Sequence, residues 1–332
     1  MRKIIFLILA LQVSTISSQE IHSPTEILKI LEKSKVSYEL SILTDEIQPL
    51  DRSNNLNYHN YYRIIKDNQI LTQEFKLNDT GEAFSKKAEE YFNSGQPGLA
   101  REMYQNMLQE NPEYYKVMTY IGQTYGIEKD YDNAIKWYQK SIDKNYIDYM
   151  AHWFLADTYI TKNKPKEALK EITIAMILNR NNPRIRKSFE EIYSKNKLKT
   201  PSWVFTPQVR IDSVGENKVK IEFNEDWLGY ALVKALWAFE PNYRESMGGQ
   251  KGVFSTTEEL EAIANLANAF DKKKLKRYPE FKALQNAIDN EMVNEFIFYE
   301  IVLPRFPNVV YQLPKDFIEN ISSYVITIRG KK

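Results

Sequence analysis

Histidines are the first residues to consider for chemistry, because a positioned imidazole can act as a general base or a metal ligand near neutral pH. The chain contains three of them, His22, His59 and His152. Their spacing matches no metal site or catalytic triad, and the sequence has no cysteine to supply a thiolate. Catalysis needs a second group to orient the imidazole, so packing or contact with a partner is the preferred interpretation of His152.

Charged clusters near the C-terminus have ordinary explanations. Glu291, Glu295 and Glu300 could share a helix, but the Glu-x-x-His element of helical two-metal sites is missing, so a solvated helix face is expected. The basic run Lys272–Arg277 is predicted to end a helix and complement its dipole, with contact to anionic lipid or nucleic acid as the alternative. Gly248–Gly252 lacks the Lys-Ser/Thr ending of a phosphate loop and predicts a flexible loop. The sequence therefore predicts no cofactor and no metal.

The charge balance limits the classes of partner. Lysine and arginine total 45 and aspartate and glutamate total 44, which gives a formal net charge of +1. Bulk electrostatic attraction to nucleic acid or to a membrane is therefore not expected. The predicted partner is a protein or peptide segment, and no nucleic acid.

The N-terminus has the pattern of an export signal. Arg2 and Lys3 precede the apolar run Ile4–Leu11, and Ser14–Ser18 is small and polar, as at a cleavage site. The apolar run is too short for about 30 Å of hydrocarbon, so an uncleaved anchor is the weaker alternative. We predict a cleavable signal peptide at residues 1–18, no integral membrane span, and a periplasmic or extracellular protein of a bacterial cell envelope.

A period of 34 residues runs through the middle of the chain. In each period a small residue is followed three positions later by a tyrosine and twelve positions later by an alanine. The small residues are Ala88, Gly122 and Ala156, the tyrosines are Tyr91, Tyr125 and Tyr159, and the alanines are Ala100, Ala134 and Ala168. The period and these columns, over about Gly81–Asn182, resemble the tetratricopeptide repeat.

Close helix packing explains the small residues. The resemblance implies antiparallel helix pairs that approach closely where side chains are small, so Gly122 is tolerated although a helical glycine costs about 1 kcal/mol against alanine. Gly126 has no such explanation. Prolines at the starts of second helices, and Asp130 as a cap, agree with this division. Arg184–Lys195 is amphipathic and is predicted to cap an α-solenoid of three repeats.

The resemblance also implies a binding surface. In this family the first helices line a concave groove that receives an extended or helical segment of a partner. The matching positions, repeat by repeat, are Ser85, Glu89 and Phe92; Lys116, Thr119, Tyr120 and Gln123; and Met150, Trp153, Phe154 and Asp157. Chaperone-binding members clamp a terminal carboxylate with lysine, asparagine and arginine on such positions, and here Ser85, Glu89, Met150 and Phe154 replace the required amide and cations. An aromatic, mildly polar groove is expected, unless the flanking segments of the chain fill it.

The flanking regions predict an α+β protein overall. The predicted segments are 1–18, a signal peptide; 19–80, an N-terminal helix and strands; 81–196, the repeats and capping helix; and 200–332, an α+β domain of no recognised family. Strands are predicted at 36–42, 61–65, 70–77, 208–212, 218–223 and 324–329. Helices are predicted at 24–35, 227–239, 257–274, 280–302 and 315–322, and Trp227, Tyr230 and Trp237 are assigned to a core face.

Two functions remain. The first is a non-enzymatic adaptor in the cell envelope, in which the repeats bind a partner segment. The alternative is an enzyme whose C-terminal domain uses aspartate, glutamate or tyrosine, with the repeats recruiting the substrate. The adaptor is preferred because no nucleophile–base pair can be identified and histidine is scarce. A pocket that held two carboxylates with opposed pKa shifts would reverse this preference.

Overall fold

The computed structural model describes residues 21–50, 61–66 and 69–330. The predicted signal peptide and His59 lie outside these residues. The helices, in chain order, are α1 Pro24–Lys33, α2 Asp79–Asn93, α3 Pro97–Glu110, α4 Lys116–Ile127, α5 Tyr131–Lys144, α6 Tyr149–Thr161, α7 Pro165–Leu178, α8 Pro183–Lys195, α9 Leu228–Phe239, α10 Tyr243–Ser246, α11 Thr256–Ala267, α12 Lys272–Arg277, α13 Pro279–Asp289, α14 Val293–Phe296, α15 Leu303–Arg305 and α16 Lys315–Tyr324. In the part of the chain that is described, none of them combines the length and the apolar character needed to cross a bilayer.

Strands and tighter or wider helical turns complete the structure. The strands are β1 Ser37–Ile42, β2 Tyr61–Lys66, β3 Gln69–Glu74, β4 Val209–Gly215 and β5 Lys218–Phe223. Short 3₁₀ helices cover Glu225–Trp227 and Pro307–Gln312, and π-helices cover Ile297–Val302 and Val325–Arg329. The predicted α+β class is confirmed.

The chain forms two compact units that interleave in sequence. One unit contains residues 21–49 and 203–297, and the other contains the repeats together with residues 298–330. This grouping differs from the predicted boundaries, because the end of the chain packs with the repeats and the first helix and strand pack with residues 203–297. The physical reason is that segments far apart in the sequence pack together, and a division of the chain into consecutive segments cannot represent such packing.

The first unit is built on a three-stranded sheet of order β1-β5-β4. β4 and β5 form the predicted antiparallel hairpin, while β1 pairs with β5 in parallel. Helix α9 packs on this sheet, and Trp227, Tyr230 and Trp237 are buried as expected of a core face. Helix α1 begins with the predicted capping box, in which the amide of Ser23 donates to Glu26 at 2.8 Å.

The second unit contains the helical repeats. α2 packs with α3, α4 with α5 and α6 with α7, and α8 covers the last pair as the predicted capping helix. Pro97 and Pro165 occupy the first positions of α3 and α7, and the Asp130 carboxylate accepts from the amide of Asn133 at the start of α5. Strands β2 and β3 form the predicted hairpin in the same unit.

Three predicted elements in the C-terminal third are wrong. The strand predicted at 324–329 is helical, because Tyr324 and Arg329 both reach the buried Glu300 carboxylate from a helix, and these contacts outweigh the strand preference of β-branched residues. The helix predicted at 280–302 breaks at Glu291, whose φ is 57°. The helix predicted at 257–274 ends at Ala267, and Asp271 caps a separate helix, α12.

Candidate functional site

The small-residue columns lie where the paired helices meet. All five alanines, Ala88, Ala100, Ala134, Ala156 and Ala168, have 0% of their surface exposed. A Cβ atom at Gly122 would lie 2.5 Å from Cε1 of the buried Tyr138 ring, closer than any ordinary carbon contact. At Gly126 the nearest atom to such a Cβ would be the Tyr138 hydroxyl, at 3.5 Å. The structure therefore requires glycine at the first position and leaves room for alanine at the second.

The tyrosine column packs around these contacts. Tyr91, Tyr125 and Tyr159 are partly buried against the cores of the helix pairs. The Arg101 guanidinium lies 3.9 Å from the ring centre of Tyr125, and the Gln139 amide donates to the Tyr159 hydroxyl at 3.1 Å. Each tyrosine thus packs against a repeat core, and Tyr125 and Tyr159 also contact a polar side chain.

A buried polar network takes up two of the predicted groove residues. Lys116 Nζ lies 3.2 Å from Oδ1 of Asp148, and the Thr119 hydroxyl donates to Oδ2 of the same carboxylate at 2.6 Å. Asp148 also accepts from the amides of Met150 and Ala151 and so caps α6. Thr119 is 0% exposed and Lys116 is 7% exposed. Their prediction as partner-contacting residues is wrong, because both side chains join one repeat to the next.

Tyr120 is held mainly by the repeat core. Its ring packs against Tyr104 with a centroid distance of 5.4 Å, and its hydroxyl is hydrogen-bonded to that of Tyr114. Burial raises the pKa of Tyr120 well above its ordinary value. Removing this ring would therefore disturb the first two repeats as well as any groove contact.

The third repeat presents the best-formed part of the groove. Trp153 and Phe154 on α6 are partly buried and stack with their ring centres 5.2 Å apart. The indole N–H of Trp153 donates to the Ser188 hydroxyl of α8 at 2.9 Å. Asp157 follows Trp153 by one helical turn and lies on the same face of α6. The Trp153 indole and the Asp157 carboxylate therefore lie between α6 and α8, with Phe154 stacked on the Trp153 ring and packed against Tyr138 of α5.

Asp157 has an unusual electrostatic environment. The pKa of its carboxyl is raised to about 6, chiefly by burial and in smaller part by the nearby Glu191 carboxylate on α8, against the hydrogen bonds from Ser188 and Trp153. No lysine or arginine of the described residues forms an ion pair with Asp157. The charged form of this side chain is thus only partly compensated within the chain.

The other predicted groove residues are distributed over three first helices, α2, α4 and α6. Ser85, Phe92, Gln123 and Met150 are partly buried, and Glu89 is exposed. Phe92 packs against the core of the first repeat, and the charge of Glu89 acts on the hydroxyl of Tyr104. Ser85, Glu89 and Phe92 lie on α2 and Gln123 lies on α4, whereas Met150 lies on α6 with the third-repeat cluster.

His152 lies in the interior of the repeats. It is 1% exposed, its Nδ1 lies 2.6 Å from the Glu171 carboxylate, and its Nε2 lies 2.9 Å from the Tyr146 carbonyl oxygen. Both ring nitrogens are occupied by acceptors, so this histidine is a packing and hydrogen-bonding residue. His22 is similarly engaged, since its ring and backbone nitrogens contact the buried Glu261.

The carboxylates near the C-terminus do not form the solvated helix face that was expected. Glu300 is 2% exposed and accepts from Arg329 Nε at 2.7 Å and from the Tyr324 hydroxyl at 3.1 Å. Glu295 is 8% exposed, and Glu291 lies at the helix break. The expectation failed because it assumed one continuous helix. In the described parts of the chain, no group of histidine, aspartate and glutamate residues is arranged to hold a metal ion.

The basic run forms a short helix of its own. Lys272–Arg277 forms α12 in place of the predicted end of a longer helix. Lys274 Nζ lies 3.2 Å from the Asp226 carboxylate, and Arg277 approaches the same carboxylate at 3.9 Å. Part of this positive charge is therefore neutralised within the first unit.

A cavity of about 440 Å³ lies in the first unit, between the segment after β1 and the start of α13. Trp227, Gln208 and Glu280 are among its lining residues, and none of the lining residues is a histidine. Burial raises the pKa of Glu280. The pKa of Glu222 is lowered, chiefly by its hydrogen bond from Lys220, but Glu222 does not line the cavity. These two carboxyls therefore do not form an acid–base pair there.

The successive antiparallel helix pairs define a helical-repeat protein. Residues 115–143, which span α4 and α5, match the family model of the tetratricopeptide repeat. The prediction of tetratricopeptide repeats in this chain is confirmed. No curated protein matches the chain.

Solved structures match about a third of the chain. The first TPR domain of Spaghetti (RPAP3), bound to an HSP90 peptide, is 17% identical with a TM-score of 0.35, over 37% of this chain and 99% of that one. The Yersinia enterocolitica type III secretion chaperone SycD, in complex with a peptide of the translocator YopD, is 21% identical with a TM-score of 0.33, over 36% and 96%. The TPR2B domain of yeast Sti1, in its Hsp70 complex, is 17% identical with a TM-score of 0.33, over 36% and 99%.

Proposed function

We propose that this protein is an exported, non-enzymatic adaptor of a cell envelope, whose repeats bind a segment of a partner protein in their concave groove. The proposal has two parts, binding and location. Binding is supported by the repeat array and its aromatic surface, and location by the signal-like residues 1–18.

The binding proposal depends on one observation, the set of contacts that the Trp153 side chain makes. Within the described residues, its ring and hydrogen-bond partners are Phe154 and Asp157 of the same helix and Ser188 of the capping helix. An aromatic pair at the surface of a repeat groove, with partners only inside the array, is typical of a surface that a partner covers.

The alternative in which the flanking segment fills the groove receives no support at this position. Residues 298–330 contact α7 of the repeats: the Tyr311 hydroxyl donates to the Leu178 carbonyl oxygen at 3.1 Å, and Lys170 donates to the Glu319 carboxylate at 2.9 Å. Lys170 and Leu178 belong to α7, the second helix of its pair, whereas the groove residues belong to first helices.

The enzyme alternative receives no support from the cavity of the first unit. It required two carboxylates with opposed pKa shifts in one pocket, and Glu280 and Glu222 do not lie together. The adaptor proposal needs only the groove.

Affinity capture from the native envelope tests the proposal. The full chain, Trp153→Ala and Leu99→Ala would be immobilised and the captured proteins quantified by mass spectrometry. Leu99 is 41% exposed on α3, a second helix, and serves as the matched control for loss of a surface apolar side chain. Aromatic anchors at interface centres commonly cost about 2 kcal/mol or more when truncated, so proteins enriched by the wild type and Leu99→Ala should be lost with Trp153→Ala.

A result in which Trp153→Ala captures the same proteins as the wild type would contradict groove binding. Far-ultraviolet circular dichroism of each variant is the control for folding. Location is tested separately, by sequencing the N-terminus of the protein recovered from its native cells.

A further inference from the structure

The groove surface between α6 and α8 combines aromatic and acidic groups without a neutralising cation. Trp153 and Asp157 lie one helical turn apart on α6, and Ser188 and Glu191 lie close to them on α8. Of these side chains, Trp153, Asp157 and Ser188 are partly buried and Glu191 is exposed. A ligand that contacts the indole would therefore meet both carboxylates.

The lysine and arginine side chains of the neighbouring surface either pair with another carboxylate or form no ion pair with Asp157 and Glu191. Lys116, the cation predicted for the groove, is buried against Asp148 at 3.2 Å. Arg184 and Lys187 are exposed in the first two turns of α8 and form no ion pair with Asp157 or Glu191. Of the charged groups close to Asp157, Glu191 has the same sign and shifts the pKa of Asp157 in the same direction as burial does.

Such a surface favours positive charge. An opposite charge within about 4–6 Å stabilises the ionised form of a carboxylate and offsets the free-energy cost of its burial. A tryptophan ring attracts a lysine or arginine head group, and the attraction strengthens as the contact becomes desolvated. Indole and carboxylates together thus select a cation over a neutral or negative group.

We infer that the Trp153–Asp157–Glu191 surface is a subsite for a lysine or arginine side chain of the bound partner segment. This inference rests on the proposed function. The cationic head group packs on the Trp153 ring and pairs with the two carboxylates, while Phe154 offers an apolar contact to a neighbouring residue of the segment. The partner segment is therefore cationic, and the subsite is opposite in sign to a clamp for a terminal carboxylate.

The test uses the full chain and four pools of acetylated, amidated nonapeptides. The central residue of each pool is arginine, lysine, citrulline or glutamate, and the other positions are random but exclude charged residues. Citrulline keeps the shape of arginine and removes its charge. Affinities of fluorescein-labelled pools would be measured by anisotropy for the wild type, Asp157→Asn, Glu191→Gln and Glu190→Gln. Glu190 is exposed beside Glu191 on α8 and is the matched control.

We expect the wild type to bind the arginine and lysine pools about tenfold more tightly than the citrulline pool, as for a partly desolvated charge pair. Asp157→Asn or Glu191→Gln should reduce this preference, and Glu190→Gln should preserve it. The preference should also weaken from pH 7.5 to pH 5, because Asp157 gains a proton as the pH falls through about 6. In Asp157→Asn this part of the pH dependence should be lost.

The outcomes separate the inference from the function on which it rests. Equal binding of the arginine and citrulline pools, or tighter binding of the glutamate pool, would overturn the cationic subsite and leave peptide binding in place. Binding of none of the pools would overturn both. Circular dichroism melting of the two carboxylate variants shows whether a lost preference reflects the subsite or loss of the fold.

Discussion

The two glycines of α4 provide a matched test of the helix packing. Alanine at either position gains about 1 kcal/mol of helix preference over glycine. At Gly122, however, the new Cβ would lie 2.5 Å from Cε1 and 2.7 Å from Cδ1 of Tyr138. Ordinary carbon contacts are about 3.5–4.0 Å, so the ring must move by about 1 Å. The Tyr138 side chain is 3% exposed and packs against Phe154 at 6.0 Å, which leaves it little room to move.

Overpacking of this kind costs about 1–3 kcal/mol. The free energy of unfolding of Gly122→Ala should therefore be about 1–3 kcal/mol lower than that of Gly126→Ala. The gain in helix preference applies to both variants, whereas the clash with Tyr138 applies only to Gly122→Ala. Gly126→Ala should equal or exceed the stability of the wild type. The measurement is urea unfolding followed by the helical circular dichroism signal.

A third variant identifies the source of the difference. In a Tyr138→Leu background the ring is absent, so Gly122→Ala should lose most of its penalty, and the two mutations should not be additive. Equal effects of alanine at the two glycines, or a penalty at Gly122 that persists without the Tyr138 ring, would refute the packing argument.

Three further predictions concern other sites. Asp148→Ala leaves Lys116 as a buried charge without its partner and should lower the free energy of unfolding in urea by about 3–5 kcal/mol. Adding Lys116→Met should recover part of this loss, and full wild-type stability of Asp148→Ala would contradict the prediction. The raised pKa of Asp157 means that the folded state binds a proton more tightly than the unfolded state, so stability should fall as the pH rises from about 4 to 6. Asp157→Asn should reduce this pH dependence in thermal melts, and an unchanged pH dependence would contradict the raised pKa. Deletion of Met1–Ser18 should give a folded protein that stays in the cytoplasm, as checked by cell fractionation, and continued export would exclude the signal.

The helix pairs could be predicted because the repeat is a local pattern. Ala88, Gly122 and Ala156 recur at a fixed interval, and each lies where a neighbouring helix or ring approaches closely. Prolines and Asp130 mark the starts of second helices through the chemistry of the first turn. Such signals depend on a few adjacent residues and need no knowledge of the rest of the fold.

The groove could be predicted only in part. A position on a first helix indicates which side of the array a residue faces, but not whether a neighbouring repeat uses it. Lys116 and Thr119 turn to Asp148, which lies 32 and 29 residues later in the chain. A lysine and a threonine that precede a helix-capping aspartate by about one repeat would have been the available signal.

Pairing between distant segments could not be predicted from local patterns. The parallel contact of β1 with β5 joins Ser37 to Lys218, and no turn residue marks it. The helical form of Val325–Arg329 depends on Glu300, whose burial is set by the packing of the second unit. In Val325–Arg329 tertiary contacts outweigh the strand preference of the segment, whereas in β1 they decide only which strand it pairs with.

Nuclear magnetic resonance of the tryptophan side chains tests the central claim most directly. The Trp153 indole N–H, hydrogen-bonded to Ser188, gives a signal that the Trp153→Phe variant would assign. The signals of Trp227 and Trp237, buried in the first unit, serve as internal controls. On titration with the arginine nonapeptide pool, the Trp153 signal should shift in a saturable way while those of Trp227 and Trp237 stay in place. A stationary Trp153 signal, with peptide-dependent shifts at Trp227 beside the cavity of the first unit, would contradict binding in the groove.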